Sequence, residues 1–306
     1  MNIKMNILVT GCKGQLGTEL QKIADRDHQH RWVFTDVDTL DICDKEAVEQ
    51  CFADQQIDAC INCAAYTAVD KAEDEPELAE KINAYAPQVL ADTCLKHKAL
   101  LIHVSTDYVF GGNADKPYRV EDEINPQSVY GKTKAEGERL IRKSGCNHFI
   151  VRTAWLYSSV GKNFVKTMLN LTATKTSLKV VFDQCGTPTY AGDLAEAISR
   201  ILLDYKIETA EEGASTRAKK YSKKGIYNYS NEGVCSWYDF TVKIAEIAGH
   251  KDCDIYPCHS NEFPSPVKRP AYSVLDKTKI KETFDVRIPH WTVSLRKCMK
   301  KLKTPF

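Results

Sequence analysis

Short apolar runs alternate with helix-like stretches along the first half of the chain. The apolar runs are rich in Val, Ile and Leu, as expected of strands that are buried on both faces. The pattern predicts strands near 6–10, 31–35, 58–62, 99–105 and 148–152, and helices near 15–25, 44–54, 77–96 and 129–144. Strict alternation of strands and helices predicts an α/β fold with a doubly wound parallel sheet.

After about residue 155 the alternation becomes looser, which predicts a smaller, C-terminal α/β unit. The pattern there indicates helices over 163–172, 192–203, 236–249 and 291–302, and strands over 178–182 and 225–230. Ser236 is a plausible N-cap. The charged stretch 208–224 is predicted to be an exposed insertion or mobile loop, and the Pro-rich stretch 263–270 to line a cleft. The predicted domains are 1–158, rejoined by 190–230, and a substrate-binding domain formed by 159–189 and 231–306.

Composition and charge argue against several classes of protein. The 306 residues are 43% apolar and 27% charged with a net charge of +1, so we predict no nucleic-acid partner and no membrane partner. No apolar run approaches the roughly 18 residues that span a bilayer, and no secretory pattern is present, which predicts a cytoplasmic protein. The 12 cysteines are scattered and are predicted to be reduced, including the one C-x-x-C, Cys60 to Cys63, which lies along a predicted strand.

The turn after the first predicted strand carries a glycine pattern that opens a helix. Strand, glycine turn and helix form the context of a dinucleotide-binding fingerprint. Gly11 permits the sharp turn, Gly14 permits approach of the pyrophosphate, and Gly17 permits close packing of the helix, whose N-terminus attracts the phosphates. A glycine-rich turn without a ligand is the alternative. The residues between the glycines complete the predicted cofactor cradle: Cys12, Lys13, Gln15 and Leu16.

An acidic residue is expected at the end of the second strand, about 20 residues after the glycine turn. Asp36 lies 19 residues after Gly17 and can accept hydrogen bonds from the adenosine ribose hydroxyls. Its carboxylate would repel a 2′-phosphate, so we expect NADH to be accepted. Asp41, with Ile42 beside it, is placed to hold the adenine side of the cofactor.

Tyr130 and Lys134 lie four residues apart in a predicted helix, so their side chains share one face. A phenol has a pKa of about 10, and a neighbouring ammonium is expected to lower it toward neutrality, where acid–base chemistry is efficient. The spacing alone is also typical of a solvated helix face. Thr106 and Asp107 end a predicted strand, where Thr106 can donate to a developing alkoxide and Asp107 can orient substrate hydroxyls.

These motifs resemble those of the extended short-chain dehydrogenase/reductases and, within them, the dTDP-4-dehydrorhamnose reductases. The matching stretches are 11–17, 62–73, 105–110, 129–134, 152–155, 163–168, 183–188, 231–237 and 269–270. The resemblance implies a Rossmann-type fold and reduction of the C4 keto group of dTDP-4-dehydro-L-rhamnose to dTDP-L-rhamnose, a precursor of surface polysaccharides. The implied cofactor is NADH or NADPH.

The resemblance also assigns roles to residues. Thr106, Tyr130 and Lys134 are implied to be catalytic, Tyr130 as the proton donor and Lys134 as the residue that lowers its pKa and holds the nicotinamide ribose. The implied sugar pocket comprises Thr67, Val69, Thr106, Asp107, Tyr108, Tyr130, Trp155 and Arg269, with Lys268 and Arg269 beside the pyrophosphate. Further cofactor contacts are implied for Ala64, Ala65, Tyr66, Thr67 and Asn83, and Asn83 is also implied to relay protons behind Lys134.

Three questions stay open at this level. A regulatory subunit like that of methionine adenosyltransferase shares the fold, but the intact Thr106, Tyr130, Lys134 and Trp155 argue against it. A nucleotide-sugar epimerase or 4,6-dehydratase is another alternative, although a dehydratase would want a second acid beside Asp107. Some relatives dimerise through a magnesium site. Glu19 matches one of its carboxylates and Asp193 is the nearest to a second, so we predict no metal, and either a monomer or a homodimer.

Overall fold

The computed structural model describes residues 4–211, 222–263 and 265–303. Its centre is a six-stranded parallel sheet with the order β10-β5-β4-β3-β1-β2. The sheet strands are β1 Asn6–Thr10, β2 Arg31–Phe34, β3 Ala59–Asn62, β4 Leu100–Thr106, β5 Asn147–Thr153 and β10 Gly225–Asn228. The helices between them are α1 Gln15–Ala24, α2 Lys45–Gln55, α3 Val69–Ala72, α4 Pro76–Glu80, α5 Ala86–His97 and α6 Val129–Ser144.

Both faces of the sheet are covered, because successive side chains of each strand point to opposite faces. In β1, Ile7 and Val9 belong to one apolar cluster and Leu8 belongs to the other. The first cluster is completed by α1 and the long helix α8, Ala191–Glu211, and the second by α2, α5 and α6. This arrangement confirms the predicted doubly wound α/β fold.

The strand order reverses between β1 and β3, since the chain proceeds from β1 outward to β2 and from β3 outward to β5. In open parallel sheets a ligand crevice lies outside the carboxyl ends of the strands at such a switch point. The segments that leave these two strands begin at Gly11 and Cys63. The fold therefore brings the predicted glycine turn to the position where a dinucleotide binds.

Most of the remaining elements form a smaller unit beside the carboxyl edge of the sheet, whereas α10, Thr278–Phe284, packs on the first cluster of the sheet through Ile280 and Phe284. An apolar cluster that includes Phe240, Ile244 and Leu295 is surrounded by three helices of the smaller unit, α7 Phe164–Thr174, α9 Trp237–Ala248 and α11 Trp291–Lys303. Ser236 caps α9 in a capping box, as predicted. The bounds of these elements are β6 Leu156–Tyr157, α7 Phe164–Thr174, β7 Ser177–Val181, β8 Cys185–Gly186, β9 Thr189–Tyr190, β11 Cys235–Ser236, α9 Trp237–Ala248, β12 Asp254–Cys258, α10 Thr278–Phe284 and α11 Trp291–Lys303.

Three differences from the predicted elements stand out. The helix predicted over 77–96 is divided by a π-helical turn, Lys81–Tyr85. Strand β12 and helix α10 were missed because neither carries a clear apolar period. Helix α8 extends to Glu211, into the stretch predicted as a loop, and 212–221 lie outside the described residues. Within the described part of the chain, no helix is both long and apolar enough to cross a bilayer.

Candidate active site

The glycine turn after β1 has no room for side chains at two positions. Gly11 has φ +64°, and a Cβ there would lie 2.7 Å from the backbone nitrogen of Ala64. A Cβ on Gly17 would lie 2.5 Å from the carbonyl oxygen of Gly11. Helix α1 begins without a side-chain cap, so its first N–H groups are available to an anion. The turn therefore fits a dinucleotide pyrophosphate.

Asp36 closes the same crevice at the end of β2. Its Oδ2 accepts from the backbone N–H of Lys13 at 2.9 Å, which ties the carboxylate to the glycine turn. The ammonium of Lys13 pairs with Asp38 at 2.6 Å, and both side chains are exposed. The crevice thus offers a carboxylate to ribose hydroxyls and places a lysine beside it. Asp41 is exposed farther along this loop, whereas Leu16 and Ile42 are buried in the core, as is Cys12.

The loop after β3 carries the predicted cofactor contacts Ala64 to Thr67. Asn83 holds this loop through both of its amide atoms, accepting from Tyr66 N at 2.9 Å and donating to Tyr66 O at 3.0 Å. The same Nδ2 lies 3.2 Å from Thr133 Oγ1 on α6. Asn83 therefore fastens the loop to the helix, and the proton relay implied for it stays a prediction.

Helix α6 presents Tyr130 and Lys134 from its first two turns. It begins at a fixed point, because Ser128 caps it by accepting from Gly131 N at 3.1 Å. Gly131 is in turn packed against the backbone of Tyr108, where a Cβ would collide with the carbonyl oxygen. This contact brings the ring of Tyr108 to 5.5 Å from that of Tyr130, edge to face. The end of β4 and the start of α6 therefore form one rigid corner.

The pKa of Tyr130 is raised, not lowered as the sequence predicted. Burial is the main cause, the charges of Asp107 and Tyr108 add to it, and a hydrogen bond with Thr106 opposes it. The hydrogen bonds of Lys134 run to other partners, namely His103 Nε2 at 3.1 Å and the Val104 carbonyl at 2.6 Å. Burial is a property of the folded chain that the spacing of Tyr130 and Lys134 does not reveal, and burial dominates the pKa of Tyr130.

Lys134 is almost wholly buried behind the crevice. Burial lowers its pKa to about 8, opposed by the charges of Glu138 and Cys63. No carboxylate forms an ion pair with its ammonium among the described residues, because Glu138 is held by Arg152 at 2.7 Å. Lys134 can therefore exchange its proton near neutral pH.

Thr106 and Asp107 form a short polar chain next to Tyr130. Thr106 Oγ1 donates to Asp107 Oδ1 at 2.9 Å and accepts from Tyr108 N at 3.2 Å. Asp107 is buried, and burial raises its pKa to about 6 against the hydrogen bonds from Thr106 and Ser273. Its Oδ2 has no hydrogen-bond partner among the described residues, although it is buried. A buried unpaired carboxylate oxygen beside a cavity is suited to accept from a ligand hydroxyl.

The chain Thr106–Asp107 opens into a cavity of about 590 Å³ between the sheet edge and the smaller unit. One wall is aromatic, with the Trp155 and Trp237 rings stacked at 3.4 Å between centroids. Trp155 has φ +49°, a conformation that costs free energy in a residue with a side chain. The predicted cleft-lining stretch 263–270 supplies the outer wall through Phe263, Ser265, Pro266, Arg269 and Pro270.

Arg269 lies at the cavity wall, where it forms an ion pair that the sequence did not reveal. Its Nη2 donates to both carboxylate oxygens of Asp70, at 2.7 and 2.6 Å, and its Nη1 lies 3.2 Å from Tyr108 Oη. Asp70 and Arg269 are 199 positions apart, so no local pattern could pair them. Trp237 was likewise missed as a site residue.

Four predicted pocket residues are not among those that line this cavity, namely Thr67, Val69, Thr106 and Tyr130, and the two carboxylates considered for a metal site pair with lysines. Thr67 is exposed and Val69 starts α3, and neither is among the cavity-lining residues. Glu19 is buried and pairs with Lys22 at 2.9 Å and Lys301 at 3.5 Å. Asp193 pairs with Lys297 at 3.2 Å. No group of three potential metal-ligating side chains occurs in the described ranges.

The glycine turn at the switch point, the Tyr130–Lys134 helix and the adjoining cavity define a dinucleotide-dependent enzyme of the short-chain dehydrogenase/reductase class. The family model for the RmlD substrate binding domain matches residues 5–304. The chain belongs to this family.

Named relatives agree with this family assignment. The chain is 38% identical to a dTDP-4-dehydrorhamnose reductase from Aggregatibacter actinomycetemcomitans over 95% of this chain and 97% of that protein. A solved dTDP-4-dehydrorhamnose reductase from Clostridium acetobutylicum is 42% identical, with a TM-score of 0.88 and coverage of 98% and 100%. Another, from Bacillus anthracis in complex with NADP, is 33% identical with the same TM-score and coverage. These relatives confirm the resemblance stated from the motifs.

Proposed function

We propose that the chain is an NAD(P)H-dependent reductase that converts dTDP-4-dehydro-L-rhamnose to dTDP-L-rhamnose. The observation that carries the proposal is the corner in which Tyr130, Thr106 and Asp107 meet beside a cavity, next to a dinucleotide-binding turn. Membership of the family and the names of relatives that match nearly the whole chain supply the substrate.

The residues present fit a nicotinamide dinucleotide. The turn from Gly11 to Gly17 holds the pyrophosphate on the N-terminus of α1, and Asp36 binds the adenosine ribose. Lys134 and the loop from Ala64 to Thr67 hold the nicotinamide side. When bound, the reduced cofactor supplies the hydride that the sugar C4 receives.

Tyr130 supplies the proton to the sugar oxygen. A reductase needs an acid at this position, and the raised pKa of Tyr130 keeps its phenol protonated at neutral pH. Thr106 stabilises the developing negative charge on the oxygen by hydrogen bonding. Asp107 orients the sugar by accepting from a ring hydroxyl through its unpaired Oδ2. Asp107 Oδ2 has no partner among the described residues, whereas the Thr106 hydroxyl must turn its proton from Asp107 Oδ1 toward the sugar oxygen.

The cavity offers different surfaces to the deoxy sugar and to the pyrophosphate of a nucleotide sugar. The stacked Trp155 and Trp237 pack an apolar face against the deoxy sugar, and Arg269 neutralises the pyrophosphate. The Asp70 carboxylate holds the guanidinium in place and competes with the phosphate for it. The division of the chain stays a prediction: we propose that the part that includes 1–158 and 190–230 binds the cofactor, and that the rest shapes the substrate pocket together with Asp107, Tyr108 and Trp155.

An absorbance assay tests the proposal. The purified chain is mixed with dTDP-4-dehydro-L-rhamnose and either NADH or NADPH. Loss of the reduced cofactor is followed by absorbance, and the product is then analysed by NMR. We expect stoichiometric oxidation and a product reduced at C4. Absence of turnover with both cofactors would favour a regulatory subunit, and a 4,6-dehydratase or epimerase would instead act on dTDP-glucose without net cofactor oxidation.

A further inference from the structure

The side chain of Gln15 joins the cofactor helix to residues that shape the substrate cavity. Gln15 is the first residue of α1 and lies within the glycine turn. Its Nε2 donates to the carbonyl oxygen of Leu156 at 3.4 Å, and its Oε1 accepts from Nδ2 of Asn163 at 3.0 Å. These partners lie 141 and 148 positions farther along the chain, so only the folded protein brings them to the start of α1.

Asn163 holds together the loop between these two contacts. Its Nδ2 lies 2.8 Å from the carbonyl oxygen of Ser158 and 3.2 Å from that of Val160. Gly161, in the same loop, has φ +68°, and a Cβ there would lie 3.3 Å from Cγ of Gln15. The loop is therefore folded around the amide of Asn163 and packed against the side chain of Gln15.

Backbone groups fix the orientation of both amides. The carbonyl oxygens of the loop can only accept, so the Asn163 atom that faces them is the nitrogen. This nitrogen can only donate, so the Gln15 atom beside it is the oxygen. The remaining atom of the Gln15 amide is then a donor, and it faces the carbonyl oxygen of Leu156, which needs one. Each amide is thus held in one orientation.

Asn163 is also the N-cap of α7, a helix that forms part of the cavity wall. Its Oδ1 accepts from the backbone N–H of Lys166 at 3.1 Å, and its carbonyl oxygen accepts from that of Thr167 at 3.1 Å. Phe164 and Met168, which lie one turn apart on α7, line the cavity. A change in the position of the Asn163 side chain would therefore move this wall.

The other contact of Gln15 reaches the aromatic wall. Leu156 directly follows Trp155, which lines the cavity and stacks on Trp237. The carbonyl that accepts from Gln15 therefore belongs to the residue next to the wall. One amide at the start of the cofactor helix is bonded to two separate segments that enclose the substrate cavity.

We propose that Asn163 is a positioning residue that couples the two sites through Gln15, so that bound cofactor orders the α7 wall and raises the affinity for the dTDP-sugar. The first N–H groups of α1 are available to the pyrophosphate, and an anion bound there orders the residue that holds Asn163. A ligand that enters a site already ordered loses less conformational entropy, which gives positive coupling. This inference deepens the proposed function and rests on it for the identity of the sugar ligand.

Hydrogen exchange tests the coupling with the cofactor alone. Amide exchange over 163–168 is measured in the full-length chain, with and without a saturating concentration of reduced cofactor, NADH or NADPH. We expect the cofactor to slow exchange at Lys166 and Thr167 by about five- to tenfold. Gln15→Met keeps the length of the side chain but removes both amide bonds, and should abolish the slowing. Unchanged exchange in the wild type, or equal slowing in Gln15→Met, would overturn the proposal.

Gln21→Met is the matched control. Gln21 lies on the same helix, and its Nε2 donates to the carbonyl oxygen of Cys12 in the glycine turn at 2.9 Å. The same substitution there removes a bond within the cofactor part of the chain, so the slowing of exchange over 163–168 should remain. Loss of the slowing in Gln21→Met as well as in Gln15→Met would show that any disturbance of α1 suffices, and would overturn the role of Asn163.

Calorimetry tests the effect on affinity. dTDP-L-rhamnose cannot be reduced by NADPH at C4, so the two can be bound together without reaction. We expect saturating NADPH to lower the Kd of dTDP-L-rhamnose by about five- to twentyfold in the wild type, and by linkage the sugar should lower the Kd of NADPH equally. The ratio should approach one in Gln15→Met and in Asn163→Ser, which keeps a capping hydroxyl but is too short to bond Gln15.

A double variant shows whether the two residues act through each other. Gln15→Met combined with Asn163→Ser should lose no more coupling than either single variant, because both remove the same bond. Losses that add in the double variant, or a wild-type ratio of one, would overturn the proposal. Failure of dTDP-L-rhamnose to bind the wild type would instead contradict the proposed function, and the exchange experiment would still decide the coupling.

Discussion

The cofactor crevice and the substrate cavity are built in different ways. The crevice is made largely of backbone: the Gly11–Gly17 turn, the N-terminus of α1 and the ends of neighbouring strands. The cavity is made of side chains from distant segments, such as the pair of Asp70 with Arg269 and the stack of Trp155 on Trp237. A site formed by backbone therefore leaves a local signature in the sequence, whereas a site formed by long-range side-chain contacts does not.

The largest loss of activity is expected from a substitution at Tyr130, which lies where the cofactor crevice meets the substrate cavity. Tyr130→Phe keeps the ring packed against Tyr108 but removes the proton donor, so kcat should fall by about 10²- to 10⁴-fold. Cofactor affinity, measured by fluorescence titration, should change little. Tyr85→Phe, on an exposed tyrosine, is the control and should keep full activity. Retention of most of the activity in Tyr130→Phe would show that the proton comes from another group.

The substrate side is tested by Arg269→Ala. Loss of a charged hydrogen-bond donor to the pyrophosphate should raise KM for the dTDP-sugar by roughly 10- to 100-fold, with a smaller change in kcat. Lys268→Ala alters the adjacent exposed cation, which is also expected beside the pyrophosphate, and should raise KM less in the same steady-state kinetics. A larger rise in KM for Lys268→Ala than for Arg269→Ala would show that the pyrophosphate binds outside the cavity that Arg269 lines.

Burial of the Asp107 carboxylate, which is proposed to bind the substrate, is expected to lower the stability of the folded chain at neutral pH. Its pKa is about 6 in the folded protein, above the ordinary value of 3.8, so the folded state binds more protons than the unfolded state between these values. Its contribution to stability is therefore lost as pH rises through this window. Asp107→Asn should raise the free energy of unfolding at pH 7 by up to about 3 kcal/mol, and the gain should vanish near pH 4.

Urea denaturation at several pH values measures this difference. Asp54→Asn, on an exposed helix end, is the control and should change stability by less than about 0.5 kcal/mol at every pH. Activity gives the complementary result, because wild-type kcat/KM should fall as pH drops through about 6 and Asp107 becomes protonated. A stability gain that is independent of pH would show that Asp107 is not strained by burial.

The smallest effect is expected on the cofactor side, where Asp36 is one contact among many backbone groups. Asp36→Ala should shift the ratio of kcat/KM for NADPH over NADH upward by about tenfold, because repulsion of a 2′-phosphate and a ribose hydrogen bond are both lost. Lys13 stays beside the site and can meet the phosphate. An unchanged ratio would place ribose discrimination elsewhere.

Much of the fold was predictable because local patterns determine it. The alternation of strands and helices, the glycine turn, Asp36 and the four-residue spacing of Tyr130 and Lys134 all depend on neighbours in the sequence. Strand β12 and helix α10 lacked such patterns, since β12 is largely exposed and α10 is short. Local sequence patterns were therefore enough to predict most of the sheet and the residues on the cofactor side of the site.

The rest of the site depends on contacts that sequence order does not show. His103 looks like a polar interruption of an apolar strand until the sheet places Asn62 and Lys134 on either side of it. The direction of the Tyr130 pKa shift was wrong for the same reason, because burial of the phenol is a property of the assembled corner. Protonation states follow from desolvation, and desolvation follows from tertiary packing.

Deuterium labelling follows the hydride itself, and so reports on the step in which Tyr130 protonates the sugar oxygen. The enzyme is supplied with NADPH or NADH carrying deuterium at nicotinamide C4, and the dTDP-sugar product is examined by NMR. We expect deuterium at C4 of the sugar with the wild-type chain, and negligible labelled product with Tyr130→Phe under the same conditions. Label at another carbon, or equal labelling by the variant, would contradict hydride delivery to a ketone that Tyr130 protonates.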